Sequence, residues 1–171
     1  VKEYERERIM NLSGKNVVLG LTGGIACYKS CEILRLLVKE GATVNVMMSK
    51  AAQAFITPMT MQALSGNPVF TNFFDLREEG KITHIDLADQ ADLVLIAPAT
   101  ADILAKAANG ICDDVVSTVL LATKAKTVFA PSMNVNMYEH VATQTNIKTL
   151  QERGAKIIDP DSGDLACGWV G

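Results

Sequence analysis

No run of apolar residues in this chain of 171 residues approaches the roughly 20 needed to cross a bilayer, so no transmembrane helix is expected. The first eight residues are too charged for a secretory signal. The four cysteines include no CxxC pair, and without a leader this argues for reduced thiols and a cytoplasmic setting. With only two histidines besides, no metal site is expected. Aromatic residues are few, basic residues form no cluster, and the net charge is −3, which sets nucleic acid aside as a partner. Two phosphate fingerprints are missing as well: there is no GxGxxG, and no Lys follows the glycine pair at 23–24 as in a P-loop. Repeats, low-complexity tracts and linkers are absent, and the length suits one domain with a full hydrophobic core.

What is present is organised around Leu19-Gly20-Leu21-Thr22-Gly23-Gly24-Ile25-Ala26. The apolar run at 17–21 reads as a buried strand, and the periodic segment at 24–40, stopped by Gly41, reads as a helix. A strand, a glycine pair and a helix start form either an anion site or simply a tight turn between strand and helix. Further strands are expected at 43–48, 69–70, 92–97, 127–130 and 155–158. Helices are expected at 51–55, 59–64, 83–89, from 98–102 to 110, 113–122 and 143–153. The segment Asp92-Leu93-Val94-Leu95-Ile96-Ala97 is almost free of polar residues after its first position, the pattern of a central parallel strand buried on both faces. Alternating strands and helices predict a doubly wound α/β fold: a parallel sheet in three layers, Rossmann-like or flavodoxin-like, in a single domain. Ligands in such sheets bind beyond the carboxyl ends of the strands. The turns at 22–24, 49, 100–102 and 132–134 all follow strands, so they are expected to converge on one phosphate-bearing cofactor. Cys27 and Cys31, four apart on one helix face, and Cys112 are expected to pack, and His140 to be a solvated helix residue. Residues 1–9 read as an N-terminal extension that contributes little to the site. Residues 167–171 read as the middle of a loop, so the chain is expected to be a piece of something longer.

Five segments occur in an order that carries a resemblance: Thr22-Gly23-Gly24-Ile25-Ala26, His84-Ile85-Asp86-Leu87, Ala97-Pro98-Ala99-Thr100-Ala101-Asp102, Pro131-Ser132-Met133-Asn134-Val135-Asn136-Met137-Tyr138 and Ala166-Cys167-Gly168. From Met10 onward the chain resembles the homo-oligomeric flavin-containing cysteine decarboxylases, and within them the branch that acts on 4′-phospho-N-pantothenoylcysteine in coenzyme A biosynthesis. Tyr138 stands where relatives often carry Trp. The resemblance implies FMN as cofactor, with its phosphate held by the turn at Gly23, Gly24 and Ile25, by Ser49 and by Thr100 with Ala101. Asp102 and Ser132 are implied near the ribityl chain or ring, although Asp102 could instead cap the following helix. The implied reaction passes through a flavin-oxidised thioaldehyde, loss of CO2 to an enethiol, and reduction to 4′-phosphopantetheine. His84 is implied as base or orienting group, Asn134 as donor to the departing carboxylate, Met137 as a substrate contact, and Cys167 as proton donor. The resemblance also implies a homotrimer or a dodecamer, and a phosphopantothenate–cysteine ligase half, fused or separate. A peptidyl-cysteine decarboxylase, or a non-catalytic flavin-binding regulatory subunit, are the alternative readings; the presence of His84, Asn134 and Cys167 disfavours the second.

Overall fold

The computed structural model describes residues 11–72 and 83–160. The extension expected at 1–9, the charged stretch at 73–80 and the segment bearing Cys167 lie outside those described residues. The strands are β1 (Asn16–Leu21), β2 (Thr43–Met48), β3 (Val69–Phe70), β4 (Leu93–Ala99), β5 (Lys126–Pro131) and β6 (Lys156–Ile157). They form one parallel sheet in the order β3-β2-β1-β4-β5-β6. The helices are α1 (Cys27–Lys39), α2 (Pro58–Ser65), α3 (Thr83–Gln90), α4 (Ala101–Asn109), α5 (Val115–Ala122), α6 (Val135–Glu139) and α7 (Val141–Glu152).

The apolar pattern of each strand explains the layering. On one face Leu19, Leu21, Val44, Val46 and Met48 pack with Cys27 and Leu34 of α1 and Met61 of α2. On the other, Val18, Met47, Val94, Ile96 and Phe129 pack with side chains of α3, α4, α5 and α7. Strand β4 contains no polar side chain and is buried at five of its seven positions, as a strand covered on both faces requires. The expected doubly wound, three-layer architecture is therefore the one observed. No helix among the described residues is long and apolar enough to cross a membrane.

Local chemistry sets the boundaries. Thr57 caps α2 by accepting from the Thr60 N–H at 3.3 Å, with Pro58 at the first helical position, where its missing N–H costs nothing. Asp114 and Ser117 form a reciprocal capping box on α5, with bonds of 2.8 and 3.1 Å. Gly110 ends α4 with φ of 69°, a left-handed conformation that a residue with a Cβ adopts at a cost.

Several expected boundaries shift. Helix α1 begins at Cys27, three residues later than expected, because 22–26 folds into tight turns closed by Gly24 N–H to Thr22 C=O at 2.9 Å and Cys27 N–H to Gly24 C=O at 3.0 Å. The short helix expected at 51–55 is a 3₁₀ turn at Ala52–Ala54. Strand β4 runs on through Pro98 to Ala99, with a cis Ala97–Pro98 bond and a register shift against β5 between Ile96 and Ala99. A further helix, α6, follows β5 where only a turn was expected. Cys112 is exposed rather than packed, whereas Cys27 is buried and Cys31 partly so. His140 is exposed, as expected, but sits between helices: its Nδ1 accepts from the Ala142 N–H at 3.1 Å and caps α7.

Candidate functional site

The strand order reverses direction between β1 and β4, and the crevice beyond their carboxyl ends is where doubly wound folds hold ligands. Four loops meet there, each bonded to its neighbour. Ser49, after β2, donates its N–H to the Leu21 carbonyl of β1 at 3.0 Å. Thr22, after β1, donates its hydroxyl to the Pro98 carbonyl of β4 at 2.7 Å. The same oxygen accepts from the Thr100 N–H at 3.1 Å and lies 3.1 Å from Thr100 Oγ1. Ser132, after β5, donates its N–H to the Ala99 carbonyl at 3.1 Å. The expected convergence of Ser49, Thr100 and Ser132 with the glycine turn thus follows from a continuous chain of hydrogen bonds.

This crevice is rich in donors. Ala101 and Asp102 begin α4, where N–H groups have no intrahelical acceptor and the helix dipole is positive. Thr100 caps that helix by accepting from the Ile103 N–H at 3.4 Å. Among the described residues, the N–H groups of Gly23, Ile25 and Ala26 make no backbone bond. Gly24 differs from the expectation: its N–H is spent on the Thr22 carbonyl, which leaves Gly23, Ile25 and Ala26 as the turn's donors. Gly23 is held close to the β2 loop, since a Cβ built there would collide with that of Ala51. At Gly24 the nearest atoms to such a Cβ are Thr100 Cγ2 at 3.7 Å and Pro98 Cγ at 3.9 Å, ordinary contacts.

The other expected site residues sit as follows. Asn134 caps α6, its Oδ1 accepting from the Asn136 N–H at 2.9 Å. That bond fixes which side of the amide is which, and Nδ2 keeps both hydrogens free of protein acceptors among the described residues. Met137 is half exposed on α6. His84 lies in the first turn of α3, partly buried, one turn ahead of Leu87 and Ala88, which anchor that helix in the core. Asp102 does not cap α4, since Thr100 does; its carboxylate pairs with Lys106 one turn on, at 3.2 Å. Lys106 also meets Asp113 at 3.0 Å and Asp114 at 3.7 Å. Burial lowers the pKa of this ammonium, but Asp113, Asp102 and Asp114 outweigh that and hold it above the ordinary lysine value.

Sequence reasoning did not single out Thr22, which is only 3% exposed and joins the two central loops. Cys27 adds to the frame, donating to the Thr22 carbonyl at 3.2 Å, whereas Ser30 donates to the Ala97 carbonyl of β4 at 2.7 Å and touches neither donor-bearing loop. Burial pushes the Cys27 thiol's pKa up, so it serves as a neutral donor, not a thiolate.

The family model described as Flavoprotein matches residues 5–171. The chain belongs to the flavoprotein family. It is 50% identical over 163 residues to the coenzyme A biosynthesis bifunctional protein CoaBC of Vibrio cholerae, covering 95% of this chain and 41% of that relative. It therefore spans well under half the length of the curated relatives it matches. Among solved structures, the FMN-dependent cysteine decarboxylase SpaF superposes with a TM-score of 0.84 at 31% identity, covering 94% of this chain and 91% of that one. A PPC decarboxylase cysteine-to-serine mutant complexed with pantothenoylaminoethenethiol gives 0.80 at 27% identity, covering 92% and 88%. The superposition on the PPC decarboxylase and the six-stranded parallel sheet agree on a three-layer α/β fold.

Proposed function

We propose that this chain is an FMN-dependent decarboxylase that converts 4′-phospho-N-pantothenoylcysteine to 4′-phosphopantetheine and CO2 in coenzyme A biosynthesis. The observation that carries this reading is 50% identity across 95% of the chain to a coenzyme A biosynthesis bifunctional protein. The site's chemistry supports it. A phosphate dianion needs several convergent donors, and the crevice offers the N–H groups of Gly23, Ile25 and Ala26, those of Ala101 and Asp102 at the start of α4, and the hydroxyls of Ser49, Thr100 and Ser132. Ser49 already accepts from the Ala52 N–H at 3.2 Å, which leaves its hydroxyl proton for a ligand oxygen.

Loss of CO2 from the cysteine end of the substrate would leave an unstabilised carbanion, so an electron sink is required. Bound FMN supplies that sink by taking up two electrons reversibly. The chain's own groups bind, orient and move protons. The Nδ2 hydrogens of Asn134 donate to the substrate carboxylate. As a neutral donor, Asn134 holds that group without the ground-state stabilisation a cation would give, and CO2 departure requires the charge to leave. His84 acts as base or orienting group at the thiol-bearing carbon. Met137 lines the substrate side. Cys167 returns a proton to the enethiol carbon, a task suited to a thiol whose unperturbed pKa is about 8.5.

The active form in this reading is a cytoplasmic homotrimer, or four trimers in a dodecamer, so that His84 and Asn134 of one site come from different copies. The exposed apolar side chains of Ile25, Tyr28 and Met137 support burial between copies. A phosphopantothenate–cysteine ligase, fused or separate, supplies the substrate. Incubating the purified protein with 4′-phospho-N-pantothenoylcysteine should give a product lighter by one CO2 and a bleaching and recovery of the flavin band. A flavin-loaded protein that leaves this substrate intact overturns the proposal. The 31% identity to SpaF supports one competing reading, a peptidyl-cysteine decarboxylase. Turnover of a peptide ending in cysteine, in preference to the phosphorylated substrate, would favour it.

A further inference from the structure

Thr22 bonds to both sides of the crevice but is not itself among the proposed ligand contacts. Its hydroxyl has one proton, and the Pro98 carbonyl at 2.7 Å takes it. The oxygen accepts from the Thr100 N–H at 3.1 Å. The Thr22 side chain therefore fixes two consecutive parts of the β4 loop: the carbonyl two residues before Thr100, and the N–H of Thr100 itself. Its own carbonyl is held by the Gly24 N–H at 2.9 Å and the Cys27 thiol at 3.2 Å, which sets the turn carrying Ile25 and Ala26. One buried residue thus joins the two sets of free donors, on the β1 loop and at the start of α4.

We infer that the Thr22 hydroxyl is a positioning group for the phosphate end of the cofactor, setting Thr100 and the first N–H groups of α4 at a fixed distance from the glycine turn. This rests on the FMN reading above. The physical reason lies in preorganisation. Donors borne on two separate loops bind a dianion tightly only if their spacing is fixed beforehand, since otherwise binding must bear the cost of ordering them. A backbone ladder does not fix that spacing here, because the β1–β4 pairing last registers at Gly20 and Ile96, short of both loops. The threonine hydroxyl replaces the missing rung.

The test compares FMN with riboflavin, which lacks the phosphate, by flavin fluorescence quenching on apoprotein of three variants. Thr22→Val keeps the shape and loses the hydroxyl. Thr22→Ser keeps the hydroxyl. Ser30→Ala removes another buried bond to the same β4 end, the 2.7 Å contact to Ala97, on the α1 side. Thr22→Val should lower the ratio of FMN to riboflavin affinity about tenfold or more, the loss expected when charge-assisted donors are misplaced. Thr22→Ser should restore the ratio, and Ser30→Ala should leave it unchanged even where it lowers the melting temperature. A ratio unchanged in Thr22→Val, or equally reduced in Ser30→Ala, overturns the positioning role and leaves the FMN reading standing. Wild-type protein that binds FMN no better than riboflavin overturns both.

Discussion

The side-chain oxygen of Asn134 is committed to the Asn136 N–H, and its nitrogen is not, so one substitution can separate the two jobs. Asn134→Asp keeps the cap and loses the donors. CO2 release should fall by about 100-fold or more, as when a single positioned donor is removed, with the melting temperature nearly unchanged. Asn134→Ala loses both and should also cost about 1 kcal/mol of stability, the usual value of a cap; thermal melts alongside CO2 assays distinguish the two variants. Cys167→Ser should stop after CO2 loss, with an enethiol accumulating in the mass spectrum. Cys27 gives a pH dependence. Burial raises its pKa in the folded chain above that of the unfolded one. Its contribution is therefore complete below the range where a free thiol ionises and is lost as pH rises through the folded value. Melting curves should drop on the alkaline side, and Cys27→Ala should flatten that drop. Cys27 was legible as a packing residue because it shares a helical face with Cys31. The exposure of Cys112 was not, because a loop residue has no periodicity to betray which way it faces.

At the scale of elements, the β1 loop and helix α4 make the site. Gly23→Ala must push the β2 loop away, since its Cβ would meet the backbone of Ala51 as well as the Ala51 side chain. Gly24→Ala meets only ordinary contacts. FMN affinity should fall for the first and change little for the second, measured by fluorescence titration. Helix α4 depends on Lys106, whose side chain is 18% exposed and faces three carboxylates. Lys106→Met should destabilise the protein by about 1 kcal/mol, and added salt should narrow the gap by screening the carboxylates left behind. The sequence pattern revealed α4 itself, through its apolar period and Gly110, but not which of Thr100 and Asp102 caps it. Both are good caps, and only the backbone, extended at Thr100 with φ of −76° and ψ of 163°, decides. The late start of α1 was hidden for a related reason: two glycines and an Ala suit a helix start and a tight turn alike.

For the molecule as a whole, the apolar runs made the sheet legible, because a strand buried on both faces has no room for polar side chains. The turn at Thr22 was legible but the clamp it makes was not, because its partners lie 76 and 78 residues away and nothing local marks a bond made across the crevice. Assembly is the remaining large-scale expectation: sedimentation should show a multiple of three copies, and charge introduced at Ile25 should dissociate it. The sheet restricts how that can happen. Its outermost strands, β3 and β6, are two residues long. Among the described residues they present almost no unpaired ladder for another chain to extend. Strand-to-strand growth between copies thus has little to build on along the described edges, and fibril formation from the native state finds only a short template there.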